Sequence, residues 1–255
     1  MKLQEAIESI WDCKQQGIYY PAEWRGQLDV DSGYRVQLGI LAKEVKAGER
    51  HVGWKVGLTA KAIQEQVDFH ERVFGYLLAS GERPSAATIP FDELVGPSFE
   101  NELLVVLGTP LKGPDVTPEQ AAAAIVGVAP AFELVEKRGD FAADAPLSLA
   151  DNVQQRAFVV GPLTSPLPPG TDLRETSVEI YINGEQRDAA TAAEVMGGPA
   201  ASVAWLANRL ADYGQRLDKG AKILTGSLTR QYPIAKGDLI EARFAPWGSV
   251  LAEFA

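Results

Sequence analysis

Beyond about Val52 the chain is a series of short apolar runs cut apart by Gly and Pro, and helical patterns do not alternate with them one for one. Residues 103–107, 131–135, 158–160, 178–182, 223–225, 239–244 and 249–254 each read as a strand. A doubly wound parallel sheet needs a helix after nearly every strand. This pattern therefore predicts an α+β fold with a mainly antiparallel or mixed sheet. Asn183-Gly184 directly follows the 178–182 run, and both residues tolerate positive φ, so a tight hairpin is expected there. Two helices interrupt the strands. Thr117-Pro118-Glu119-Gln120 has the form of a capping box, and Pro199 opens a helix that places Val203, Leu206, Ala207 and Leu210 on one face before Gly214 stops it.

The first fifty residues differ in texture. Leu3, Ala6, Ile7, Ile10 and Trp11 share a helix face, with Gly17 as the stop. Asp31 or Ser32 is placed to cap a second helix carrying Tyr34, Leu38, Leu41 and Val45, ending near Gly48. An aromatic loop, Tyr19-Tyr20-Pro21-Ala22-Glu23-Trp24, lies between them. The expected organisation is a helical segment over 1–50 and one β-rich unit over 51–255.

The chain has 255 residues, and its net charge of -10 argues against nucleic acid as the main partner, because phosphate binding needs a basic surface. The lone cysteine, Cys13, rules out an intrachain disulfide and suits a reducing cytoplasm. The acidic N-terminus does not read as a leader, and no apolar run approaches membrane-spanning length.

The sharpest chemical signal is Glu100-Asn101-Glu102, leading into an apolar run. On a strand, residues i and i+2 share a face, so the two carboxylates stand side by side. They mark either a solvent-facing strand end or a site for a hard cation such as Mg²⁺, Mn²⁺ or Ca²⁺. A third carboxylate, Glu133, interrupts Val128-Ala129-Pro130-Ala131-Phe132-Glu133-Leu134-Val135, which otherwise reads as buried. An ionised Glu there is costly unless paired, protonated or metal-bound; the alternative is an edge position facing water. Lys55 sits in Gly53-Trp54-Lys55-Val56-Gly57-Leu58-Thr59, either a solvent-facing strand lysine or an ammonium presented to a pocket, with Thr59 as a helix cap. Thr225-Gly226-Ser227 reads as a turn after a strand, plain or carboxylate-binding. The two histidines, His51 and His70, show no ligand spacing, and His70 lies in a charged loop, exposed or acting as a lid.

Taken in order, these segments resemble the 2-oxopent-4-enoate hydratase / 4-oxalocrotonate decarboxylase group of the fumarylacetoacetase superfamily, over about Tyr34 to Phe254. The carrying motifs are Tyr34-Arg35-Val36-Gln37, the Lys55 segment, Phe74-Gly75-Tyr76-Leu77-Leu78, Glu100-Asn101-Glu102 and Pro130-Ala131-Phe132-Glu133-Leu134-Val135. They continue with Asp151-Asn152, Val203-Ala204-Trp205-Leu206-Ala207-Asn208, Thr225-Gly226-Ser227, Gly237-Asp238 and Gly248-Ser249-Val250. The resemblance implies a mixed β-sandwich or roll of the fumarylacetoacetase C-terminal type, preceded by a helical segment, in a homo-oligomer. It implies a Mg²⁺ or Mn²⁺ ion held by Glu100, Glu102 and Glu133, a catalytic Lys55, and substrate binding by Thr225, Gly226 and Ser227. The implied substrates are small 2-oxo carboxylic acids and their 2-hydroxydienoate tautomers from aromatic-compound degradation.

Two departures stand out. Ala79 and Ser80 follow Leu78 where the group often has an acid, and Val153-Gln154-Gln155-Arg156 follow Asn152 where it has small residues. Both segments are expected near the pocket, and Arg156 becomes a candidate for a second carboxylate at its distal end, the alternative being an exposed arginine. A metal that stabilises enolate charge serves a hydratase, a decarboxylase or a C–C hydrolase equally well. Hydratase leads, by analogy through 203–208 and 226–230. A non-catalytic, oligomeric 2-oxo-acid-binding protein is the rival from another class.

Overall fold

The computed structural model describes residues 3–66, 68–195 and 197–255. Its helices are α1 (Leu3–Gln15), α2 (Val30–Lys46), α3 (Lys61–Gln66), α4 (Pro118–Ala124), α5 (Ala145–Ala150) and α6 (Gly198–Ala211). Its strands are β1 (His51–Gly57), β2 (Val73–Leu78), β3 (Glu82–Pro84), β4 (Ala87–Ile89), β5 (Pro97–Leu107), β6 (Ile125–Glu136) and β7 (Gln155–Val160). They continue with β8 (Ser177–Ile182), β9 (Glu185–Thr191), β10 (Lys222–Ser227), β11 (Tyr232–Pro233), β12 (Leu239–Ala245) and β13 (Gly248–Phe254).

The larger sheet runs β2-β1-β10-β5-β6-β7-β3, with β11 paired to β5. The β1–β10 and β3–β7 pairs are parallel and the rest antiparallel. Its two outermost strands, β2 and β3, are joined by only the three residues of a 3-10 turn, Ala79–Gly81. The sheet therefore curls into a roll whose ends approach each other. The smaller sheet, β4-β13-β12-β8-β9, is likewise mixed. The fold class is the expected α+β.

Burial follows from this curl. Leu77, Leu104, Ala131, Phe158 and Leu224 form a compact cluster separate from the main core. Each shares a strand face with Lys55, Glu102 or Glu133 by the period of two or by direct cross-strand pairing. They plug the inside of the roll. The main core lies outside it, including strand residues of both sheets and the α6 stripe Val203, Leu206, Ala207 and Leu210. A third cluster joins α1, the Tyr20–Trp24 loop, Val36 and Ile40 of α2, and Leu147 and Ala150 of α5. No helix among the described residues is long and apolar enough to cross a membrane.

Local signals held where they were backbone chemistry. Thr117 and Gln120 make the reciprocal capping box, and Asn183 and Gly184 take φ of 54° and 79° between β8 and β9. Helix α2 differs: its cap is Asp29, whose carboxylate accepts from Ser32 N at 2.8 Å, and Val45 is exposed. The helix instead buries two faces, Val36 and Ile40 toward α1, and Tyr34 with Gln37 toward the roll. Strands β1 and β2 carry Gly53, Gly57 and Gly75, residues of low strand propensity. Close approach explains one of them: a Cβ on Gly53 would meet Lys222 O at 1.8 Å.

Candidate metal and substrate site

Pairing of β5 with β6 sets Glu100 opposite Glu133 and Glu102 opposite Ala131. With the period of two, this puts three carboxylates on one patch of the roll's inner face. One oxygen from each lies within 4.8 Å of the others. Glu102 and Glu133 are fully buried, and Glu100 is half-buried at the wall of a cavity of about 460 Å³. Lys55, on β1 one strand beyond β10, reaches across so that Nζ stands 3.2 Å from Glu133 Oε1. Its stem is accommodated by glycine: a Cβ at Gly75 would come within 3.1 Å of Lys55 Cε.

Glycine also shapes the other flank. Strand β10 runs straight through the expected turn, but its register against β5 skips between Leu224 and Ser227. Gly226 occupies that bulge with φ 109°, and its N–H donates to Glu102 Oε2 at 2.6 Å. Gln231 Nε2 donates to Glu100 Oε1 at 3.0 Å. Apart from the Lys55 ion pair, neither oxygen of Glu133 nor Oε1 of Glu102 has a hydrogen-bond partner among the described residues. One lysine does not offset three carboxylates. Burial first, then the neighbouring Glu133, raises Glu100 to about 7; burial, then Glu133 and Glu100, pushes Glu102 well above the usual carboxylate range. Acceptor oxygens left without donors in a buried, acid-rich cluster suit a hard divalent cation.

The cavity opens on the side away from the apolar plug. Val135 follows Glu133 by two residues and lines it, whereas Ala131, two residues before, belongs to the plug. Leu58, Thr59, Val73, Phe141, Val153, Gln154, Ser227 and Arg230 complete much of the wall.

The expected site residues divide. Glu100, Glu102, Glu133, Lys55, Gly226 and Ser227 come together. Thr225 is fully buried with its hydroxyl donated to Leu103 O at 2.9 Å, so it supports β5 and does not line the cavity. Arg156 stands apart: it is the extra residue of a bulge, since Leu134 faces Ala157 and Val135 faces Gln155. Its guanidinium lies 3.5 Å from Glu136 and lines a second cavity of about 200 Å³ beneath the N-terminal helices. The distal-carboxylate role expected of Arg156 is corrected on this ground. Ser80 lines that second cavity too, so the 79–80 departure lies off the carboxylate pocket while the 153–154 departure lies on it. His70 is exposed, 3.3 Å from Asp68. Gln231 and Phe141 carried no signal in the sequence, because tertiary packing alone brings them here.

The profile of the Fumarylacetoacetate (FAA) hydrolase C-terminal family matches residues 48–254. The chain belongs to this family. It is 34% identical over 259 residues to the 2-oxo-hept-4-ene-1,7-dioate hydratase of Escherichia coli, covering 99% of this chain and 95% of that protein. It is 33% identical over 231 residues to the 2-hydroxyhexa-2,4-dienoate hydratase of Comamonas testosteroni, covering 89% and 87%. Among solved structures, the 4-oxalocrotonate decarboxylase from Pseudomonas putida G7, complexed with magnesium and adipate, superposes with a TM-score of 0.92 at 30% identity, covering 100% of this chain and 97% of that one.

Proposed function

We propose that this family member is a hydratase that adds water to a 2-hydroxydienoate or its 2-oxo-alkenoate tautomer, giving a 4-hydroxy-2-oxo acid, in the degradation of aromatic compounds. The observation that carries the reading is the cluster of three carboxylates, two of them fully buried and with three oxygens outside any hydrogen bond among the described residues, beside a buried lysine. Glu100, Glu102 and Glu133 would hold Mg²⁺ or Mn²⁺, which when bound supplies Lewis acidity toward developing enolate charge.

The chain's own residues supply the rest. Lys55 has three donor hydrogens and one close carboxylate partner, so it has donors to spare for a substrate oxygen or for proton transfer at the carbon framework. Gly226 N–H fixes Glu102, and Gln231 fixes Glu100, so neither carboxylate is free to swing. Ser227 presents a hydroxyl at the cavity wall. The plug of Leu77, Leu104, Ala131, Phe158 and Leu224 keeps water from reaching the site through the roll.

A decarboxylase acting on a 2-oxo diacid is the second reading, favoured by the full-length superposition on the decarboxylase structure. We also propose a homo-oligomer, for which exposed apolar side chains such as Leu163 offer contacts, and a cytoplasmic location, in keeping with the free thiol of Cys13.

The test incubates purified protein and Mg²⁺ with 2-hydroxypenta-2,4-dienoate and with 4-oxalocrotonate, following dienoate absorbance and product mass. Gain of one water supports the hydratase; loss of CO₂ from the diacid supports the decarboxylase; binding without turnover of either returns the binding-protein alternative. Lys55→Met should slow the reaction about 10²–10⁴-fold with the fold intact. Wild-type rate in that variant removes the catalytic role of Lys55.

A further inference from the structure

Asn152, Val153 and Gln154 take φ of 56°, 51° and 61°, three consecutive non-glycine residues in the left-handed region. Asn tolerates that conformation, but a β-branched valine is an outlier there. The turn is over-determined by its surroundings. Asn152 exchanges hydrogen bonds with Tyr76 N and O at 2.7 and 3.0 Å. Gln154 Nε2 donates to Tyr20 Oη and Gly139 O at 2.9 and 3.0 Å. Arg138 holds the carbonyls of Asp151 and Gln155 at 3.1 and 3.3 Å. None of these bonds uses the valine side chain, and Val153 lines the carboxylate cavity beside Gln154. Leu58, also left-handed at φ 53°, lines the same cavity. Backbone strain held in place by neighbours concentrates where a side chain must be aimed.

What Val153 is aimed at follows from the strands. Beyond Glu133 and Lys55, on the open side, the next inward-facing residues are Val135 and Val73, the latter opposite Gly57. Phe141 joins them, and Val153 packs against the same core. Lys55 faces Glu133. Arg230 sits at the exposed lip with its guanidinium 4.9 Å over the Tyr232 ring. Arg156, the cation that would have suited a second carboxylate, is in the other cavity.

We propose that the clamped Val153 closes the far end of the site and limits the substrate to a 2-oxo monocarboxylic acid with a short apolar tail. This rests on the proposed function and deepens it by naming the substrate class. The patch made by Val73, Val135, Phe141 and Val153 gains from a hydrocarbon tail, and a second carboxylate seated against it is left without a partner.

The experiment measures dissociation constants by calorimetry for unreactive saturated analogues with Mg²⁺ present. The series is 2-oxopentanoate, 2-oxohexanoate, 2-oxoheptanoate and 2-oxooctanoate, with 2-oxoadipate as the diacid, on wild type, Val153→Gly and Val153→Ala. Wild type should bind the short monoacids and lose roughly ten-fold or more once the tail exceeds the pocket. Both variants should move that cut-off to longer tails. Equal cut-offs in wild type and in both variants, with thermal melts showing all three folded, overturn the role of Val153 while the hydratase reading stands. Tighter binding of 2-oxoadipate than of 2-oxohexanoate by wild type overturns the apolar-tail assignment. No binding of any 2-oxo acid overturns the parent reading as well, an outcome distinct from both.

Discussion

A methyl group on residue 226 would lie 2.3 Å from Thr59 Oγ1, on a backbone at φ 109°. That position admits glycine alone, and its N–H is the hydrogen bond that Glu102 receives. Gly226→Ala should therefore cost about 2–4 kcal/mol, from backbone strain and overpacking together, measured by urea unfolding. Mg²⁺ affinity should fall with it. Charge at the neighbouring carboxylates governs a second expectation. Burial and Glu133 lift Glu100 from 4.5 to about 7 in the folded chain. A carboxyl with a raised folded value stabilises the fold fully below its unfolded value and loses that contribution as pH rises through the folded one. Metal-free protein should thus lose thermal stability as pH climbs from about 4.5 to about 7, and added Mg²⁺ should restore more of it at the upper end, where protons no longer compete. Melting curves with chelator and with Mg²⁺ across that window check both halves; a metal-free protein that gains stability over it contradicts the cause assigned.

Among the elements, β2 shows how a roll can end without a neighbouring strand. Its outer edge would present unpaired backbone groups, an aggregation hazard. Side-chain amides take them instead. Gln37 on α2 donates to Phe74 O at 3.1 Å, and Asn152 satisfies both Tyr76 N and Tyr76 O. Asn152→Ala leaves a buried N–H unpaired and puts alanine at a φ of 56°. Unfolding experiments should register a loss of about 2–4 kcal/mol, from one unsatisfied donor plus left-handed strain. The same change should raise KM for long and short substrates alike, because the turn bearing Val153 loses its anchor. Legibility differs sharply between elements. The capping box of α4 and the Asn183-Gly184 hairpin were readable because each is closed by neighbours in sequence. Strand β1 was readable only as one alternative for the Lys55 segment and β2 not at all, since Gly53, Gly57 and Gly75 lower strand propensity. Arg156 was misplaced because its place in the chain after Asp151-Asn152 does not fix which cavity a bulged residue faces.

At the scale of the whole molecule, the N-terminal helices are part of the catalytic roll's support. The family match begins at residue 48. Across that boundary, however, Tyr34 stacks on Phe74 with ring centroids 4.2 Å apart, and Gln37 also donates to Leu149 O at 2.8 Å. Gly33 lets α2 close on α5, since a Cβ there would meet Pro146 O at 2.5 Å. A chain lacking residues 1–46 should uncover the β2 edge and the Leu147–Ala150 face. It should aggregate on expression, and light scattering against the full chain reads the difference. A truncated chain that stays soluble and binds Mg²⁺ would establish 47–255 as self-sufficient.

The sequence alone determined the α+β class, because strand periodicity is a local, additive signal, and it narrowed the site to a few candidate carboxylates and Lys55. Glu100 and Glu102 share a face by a spacing of two, and Glu133 betrayed itself by its apolar surroundings. The tertiary structure decided what those signals amount to. Register between β5 and β6 set Glu133 opposite Glu100, and the curl of the sheet turned that face inward and brought Lys55 across. A bulge sent Arg156 away, and a clamped left-handed turn put Val153 in the wall. Each depends on pairing between residues far apart in the chain, where a shift of one residue turns a side chain to the opposite face.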